Sequence, residues 1–192
     1  MTITYELIKQ TTAQLYDWSL RKVPADTHAA LARAEQVERN PVARRTLRIM
    51  QESALEAERS GHFVCSDNGV PVYFIEIGTE ARLPSRFRQA ISEGWDELVA
   101  RIDPPLLTHV TNPLTNERGY RGKGMPLVSF DLVDGVDHLD ITCSPKALGS
   151  GRWAALEVFS FPSLETIERF VLDTVIRAGS QPCPPVVIGV GI

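Results

Sequence analysis

Apolar positions recur every three or four residues through much of the first sixty positions and again over 84–102 and 163–179, the period of an amphipathic helix. Residues 11–22 predict a helix carrying Leu15, Trp18 and Leu20, which Pro24 ends. Asp26 is placed to cap a second helix with Leu31, Ala34 and Val37 along one face. Asn40-Pro41 restarts the chain as N-cap and first helical position. The helix it opens carries Val42, Thr46, Ile49, Met50, Ala54 and Ala57 and stops at Gly61. The first sixty residues therefore read as a helical block with charged outer faces.

Past Gly61 the pattern changes. Val72 to Ile77 is a run of β-branched and aromatic residues, and Pro71 predicts that this strand begins at or near a sheet edge. From Pro84 to Ile102 a helix presents Phe87, Ile91, Trp95, Leu98 and Ile102, and Asp103-Pro104-Pro105 breaks it. Leu106 to Val110, with His109, predicts a short strand. Leu127 to Val133 and Leu139 to Cys143 predict a hairpin around Asp134-Gly135. Residues 152–159 predict another strand, and Ser163 caps a helix with Leu164, Ile167, Phe170, Val171 and Val175 inward, closed by Gly179. The run Cys183 to Ile192 predicts a buried strand. The fold class expected is α+β: an N-terminal helical block (1–61), then a mixed sheet with packed helices (62–192) in one continuous domain.

Composition narrows the function classes. A hydrophobic fraction of 43% with 23% charged residues is that of an ordinary globular protein, and 192 residues suffice for one sizeable core. A net charge of −4 without a basic tract argues against nucleic acid, and no apolar run has bilayer length. The N-terminal residues lack the layout of a signal peptide, so a cytoplasmic protein is expected. Three widely spaced cysteines do not make a disulfide framework; free thiols or metal ligands are expected instead. None of the four histidines (His28, His62, His109, His138) stands at metal-ligand spacing from another.

Candidate chemistry concentrates at Cys65-Ser66-Asp67-Asn68-Gly69, where a thiol and a carboxylate two positions apart sit on a turn ahead of a rigid strand. Taken locally, the same residues also describe a buried cysteine and a turn-forming Asp-Asn-Gly.

Together with two other motifs this stretch resembles the iron–sulfur hydro-lyases, the class I fumarases and the alpha subunit of L-tartrate dehydratase. CSDNG followed by YFIEIG is similar to that family's CQDTG turn and FFVKVG-like strand. Lys146-Ala147-Leu148-Gly149-Ser150 is similar to its KGGGS turn, and Ala178-Gly179 followed by CPPVVIGVGI to its closing segment. The resemblance runs from about residue 10 onward, with the motifs in the family's order. It implies a [4Fe–4S] cluster held by three cysteine thiolates, whose remaining iron acts as a Lewis acid on a hydroxy di-acid. By resemblance Cys65 and Cys183 are two of the ligands, and Asp67 is the carboxylate of proton transfer. Ser66, Lys146 and Gly149 fall at substrate-binding positions.

The resemblance places the third cysteine beyond the residues present here. A second subunit or C-terminal partner polypeptide, in a homo- or hetero-oligomer, is expected to complete the site; the alternative is a shortened homologue that has lost the cluster. Cys143 is the other candidate for the third ligand, although it shares a strand face with Leu139 and Ile141 as a core thiol does. Several positions depart from the family. Ser66 replaces Gln, Asn68 replaces Thr, Thr108 stands nearest a carboxylate-clamping Arg, and Ala147 and Leu148 replace glycines. The loop ERGYRGKG, with Arg118, Arg121 and Lys123, reads either as a replacement anion site or as a solvated loop. The functions expected are a hydro-lyase subunit acting on a small dicarboxylate, a non-catalytic assembly or binding homologue, and a metal-free acid binder.

Overall fold

A computed structural model describes residues 2–108 and 110–192. The expectation for His109 lies outside the described residues. Helices and a mixed sheet make an α+β fold. No described helix is long and apolar enough to cross a membrane. The chain divides into two compact units, one of Met1–Val23 with Glu52–Lys146 and the other of Pro24–Gln51 with Ala147–Ile192.

In the first unit, helix α1 (Tyr5–Arg21) begins at Thr4, whose side chain accepts from Leu7 N. Its buried face is Ile8, Thr12, Ala13, Tyr16 and Leu20, spaced four, one, three and four apart. The expected face through Leu15 and Trp18 is wrong: Trp18 is 53% exposed, because an i, i+3, i+7 stripe through Ala13, Tyr16 and Leu20 wins the core. The central sheet has strand order β4-β1-β5, with β1 at Val70–Gly78, β4 at Leu127–Val133 and β5 at Leu139–Lys146. β1 runs parallel to β4 and antiparallel to β5.

This order corrects two expectations. Asp134-Gly135 does turn the chain, but β4 and β5 are no hairpin, since β1 lies between them. β1 is therefore the central strand, not an edge. Pro71 is tolerated because it faces Pro145 across β5, and the pairing with β4 starts only at Val72. Parallel strands need a crossover, and helix α4 (Phe87–Arg101) lies between β1 and β4 in the chain. Ala90, Ile91, Trp95 and Leu98 are its buried side chains. Tyr73, Ile75 and Ile91 make one core with Ile8; Tyr16, Leu20, Trp95 and Leu98 make another. Cys143 touches both. The expected strand over 106–110 reduces to a two-residue β2 (Val110–Thr111), paired with β3 (Arg118–Gly119).

The second unit contains helix α2 (Ala25–Val37), the N-terminal half of α3 (Pro41–Ser60), a single helical turn α5 (Leu148–Gly151) and helix α6 (Leu164–Ala178). Asn40 caps α3 as expected, its Oδ1 accepting from Val42 N at 2.9 Å. Asp26 does not cap α2; the N-cap is Pro24, and Asp26 Oδ1 accepts from Thr27 N. Within the unit Glu35 pairs with Arg48 and accepts from Gln51, both at 2.8 Å. The Arg48 guanidinium and the Gln51 amide hold the Glu35 carboxyl below its usual range.

Ser163 caps α6 and Gly179 ends it, but its expected inward stripe is not fully buried: Leu164 is 69% exposed and Val175 36%, while Ile167, Phe170 and Val171 are half-buried. Residues 152–159 and 183–192 form no strand. Val187 and Ile192 are essentially fully exposed, so the closing segment is extended chain without a sheet partner among the described residues.

Candidate functional site

The turn carrying Cys65 is held from behind by α1 and the core of Tyr16, Leu20, Trp95 and Leu98, against which Phe63 packs. Val64 N donates to Leu20 O at 2.9 Å, and the Arg21 guanidinium lies 4.8 Å from the Phe63 ring. Arg21 also donates to Gly61 O, so the approach to the turn is fastened to the C-terminal end of α1. Exposure then falls along the motif: Cys65 and Ser66 are exposed, Asp67 half-buried, Asn68 and Gly69 buried. The buried end is built from hydrogen bonds. Asn68 Nδ2 donates to Cys65 O at 3.0 Å, closing the turn on itself. Tyr16, buried and edge-on to Trp95, sets its hydroxyl 3.1 Å from both Asn68 O and Gly69 O. Gly69 has φ +70°, a conformation that glycine adopts at little cost. The departure from the family at Asn68 is thus a structural one: its carboxamide supports the turn from inside.

The β1–β5 register brings a second motif to this end of the sheet. Val70, the residue after the turn, pairs with Lys146, the last residue of β5. Gly149 follows three residues on, exposed within the single turn of α5. In the 110–121 region, Tyr120 packs against the core cluster that also holds Tyr16 and Phe63. Beside it, Arg121 forms an ion pair with Asp96 and hydrogen bonds to Ser92 O and Oγ. Arg118 is exposed on β3. The engagement of Arg121 by α4 is not readable from local pattern, because its partners lie 25 and 29 residues away. Tyr16 was missed as well, although its spacing from Ala13 and Leu20 carried the signal.

The three cysteines differ sharply. Cys65 and Cys183 are exposed, Cys183 in the second unit. Cys143 faces inward beside Leu139 and Ile141, opposite Tyr73. Burial pushes its thiol up to about 12, with hydrogen bonds from Ser19 and Tyr73 only partly offsetting this. Packed against both core clusters, Cys143 has the surroundings of a structural thiol. Among the described residues no group of three or more His, Cys, Asp or Glu is gathered to hold a metal ion. Cys65 belongs to the first unit and Cys183 to the second.

Comparison with known proteins agrees with the motifs. The chain matches the family described as fumarate hydratase (Fumerase) over residues 9–192. A provisionally named L(+)-tartrate dehydratase subunit alpha of Methanocaldococcus jannaschii is 31% identical over 96% of this chain and 66% of its own length. The L(+)-tartrate dehydratase subunit alpha of Escherichia coli O157:H7 is 23% identical over 89% of this chain and 57% of its own length. The chain thus spans between 57% and 66% of the length of these relatives. With a match covering nearly every residue, the chain belongs to the fumarate hydratase (Fumerase) family.

Proposed function

We propose that this chain is part of a hydro-lyase that adds or removes water at a small hydroxy di-acid such as malate or tartrate. The observation that supports the reading is the register that pairs Lys146 with Val70, the first residue after the Cys65–Gly69 motif. In this reading Cys65 and Cys183 hold a [4Fe–4S] cluster together with a thiolate from a second subunit or partner polypeptide. When bound, the cluster supplies a Lewis acid for the substrate's carboxylate and hydroxyl. Asp67, half-buried beside exposed Cys65 and Ser66, takes or returns the proton on the carbon next to the substrate carboxylate. Ser66, Lys146, Gly149 and Arg118 bind the di-acid, and Arg121 joins them by exchanging Asp96 for a substrate carboxylate. The relatives' names, each a subunit alpha of a tartrate dehydratase, support both the substrate class and the need for a partner.

The test is anaerobic purification of the chain with its candidate partner, followed by iron and sulfide analysis and hydration assays on fumarate and tartrate-type acids. Asp67→Asn is expected to retain iron and to lose about 10²–10⁴-fold in kcat, the range of a general acid–base group. Iron-free protein without turnover sinks the reading in favour of a non-catalytic homologue.

A further inference from the structure

We infer that Tyr16 is a positioning residue that fixes the geometry of the Cys65–Asp67 turn by sharing one O–H between two consecutive carbonyls. Tyr16 is wholly buried, and its hydroxyl lies 3.1 Å from Asn68 O and 3.1 Å from Gly69 O. A phenol has a single proton to donate, so both contacts are shared branches of one hydrogen bond. Both acceptors belong to buried residues, and a buried carbonyl left without a donor is costly. The edge-on Trp95 ring, 5.0 Å from the Tyr16 ring, limits where the hydroxyl can go. Asn68 completes the device from the other side, its Nδ2 donating to Cys65 O at 3.0 Å. The backbone at 65, 68 and 69 is thereby tied at three carbonyls, while the Cys65 and Ser66 side chains remain free to face solvent.

A second link runs through charge. Burial, then Cys143, then the Asp67 carboxylate raise the Tyr16 phenol above its ordinary range, so it remains a donor wherever the protein is folded. Tyr73 provides an internal control. It too is a buried phenol bonded to a backbone carbonyl, Thr12 O at 2.8 Å, but it does not touch the turn.

The inference rests on the proposed function only in calling the turn a site, and its test does not need a cluster. In a Cys183→Ser background Cys65 is the exposed thiol. Its alkylation rate by iodoacetamide is measured at pH 8, with hydrogen exchange of residues 65–70, in Tyr16→Phe and Tyr73→Phe. Both variants are expected to lower overall stability. Only Tyr16→Phe is expected to speed exchange at 65–70 and to change the Cys65 alkylation rate, each by about tenfold for a lost buried hydrogen bond. Equal effects in both variants, or an unchanged turn in Tyr16→Phe, overturn the inference. Should Tyr16→Phe fail to fold, Asn68→Ala is expected to give the same local signature, and its absence there overturns the clamp equally. A loosened turn in a protein that never binds iron would leave the clamp standing and remove the hydro-lyase reading.

Discussion

Val70 and Lys146 face each other across the β1–β5 ladder, so two motifs seventy-odd positions apart in sequence begin and end on the same rung. That rung predicts a separable role for the lysine. Lys146→Gln keeps the strand and removes a charge from an exposed position. Melting should shift little, whereas KM for a di-acid in the reconstituted enzyme should rise about ten- to a hundredfold, as for a lost charge-assisted hydrogen bond. A KM unchanged under saturating partner would exclude Lys146 from substrate binding.

Cys143 predicts an alkaline limit to stability. Its folded thiol is raised from 9.0 to about 12, chiefly by burial. The unfolded chain therefore releases this proton first. The stabilisation is complete below about pH 9 and is lost as pH rises toward 12. Tyr16 and Tyr73 are raised by burial too and act with the same sign above pH 10. Urea unfolding of wild type and Cys143→Ala across this window should converge, because the alanine variant lacks the thiol's share of the slope. Thiol titration at pH 8 should count two reactive cysteines in the native chain and a third only in denaturant.

Gly94 predicts a steric limit at the α1–α4 contact. A methyl there would press on the Lys9 carbonyl and meet Thr12 Oγ1 at 2.9 Å. The backbone of α1 can yield only by separating the helices. Gly94→Ala should cost about 1–3 kcal/mol despite its better helix propensity, measured by urea unfolding. A stabilised variant would show that the helices have room to part.

Asp96 competes for Arg121. The pair is exposed on both sides, so Asp96→Asn should change stability by less than about 1 kcal/mol. If the Arg121 guanidinium takes the substrate's carboxylate, releasing it should tighten di-acid binding several-fold by calorimetry, and Arg121→Gln should weaken it. No change in either variant would restrict anion binding to Arg118 and Lys123.

What the sequence could disclose followed from how local each signal was. The faces of α4 and the caps at Asn40 and Ser163 were legible because period and cap chemistry act within four residues. The placement of β1 was not. Pro71 suggests an edge when only its missing N–H is considered, and the facing Pro145 that makes it tolerable lies 74 positions away. The stripe on α6 and the apolar run at 183–192 suggested burial through hydropathy alone, which says nothing about whether a partner surface is present. At the site, the Cys65 and Lys146 motifs could be read as letters. The pairing that joins them, the Asp96 contact of Arg121 and the Tyr16 support are long-range and were not.

The middle strand of the sheet has neighbours that both come later in the chain. Residues 70–78 leave the ribosome well before 127–146, the segments that saturate their two edges. Until then a β-branched, aromatic ribbon stands open on either side. Such non-local pairing is slow and exposed to mispairing.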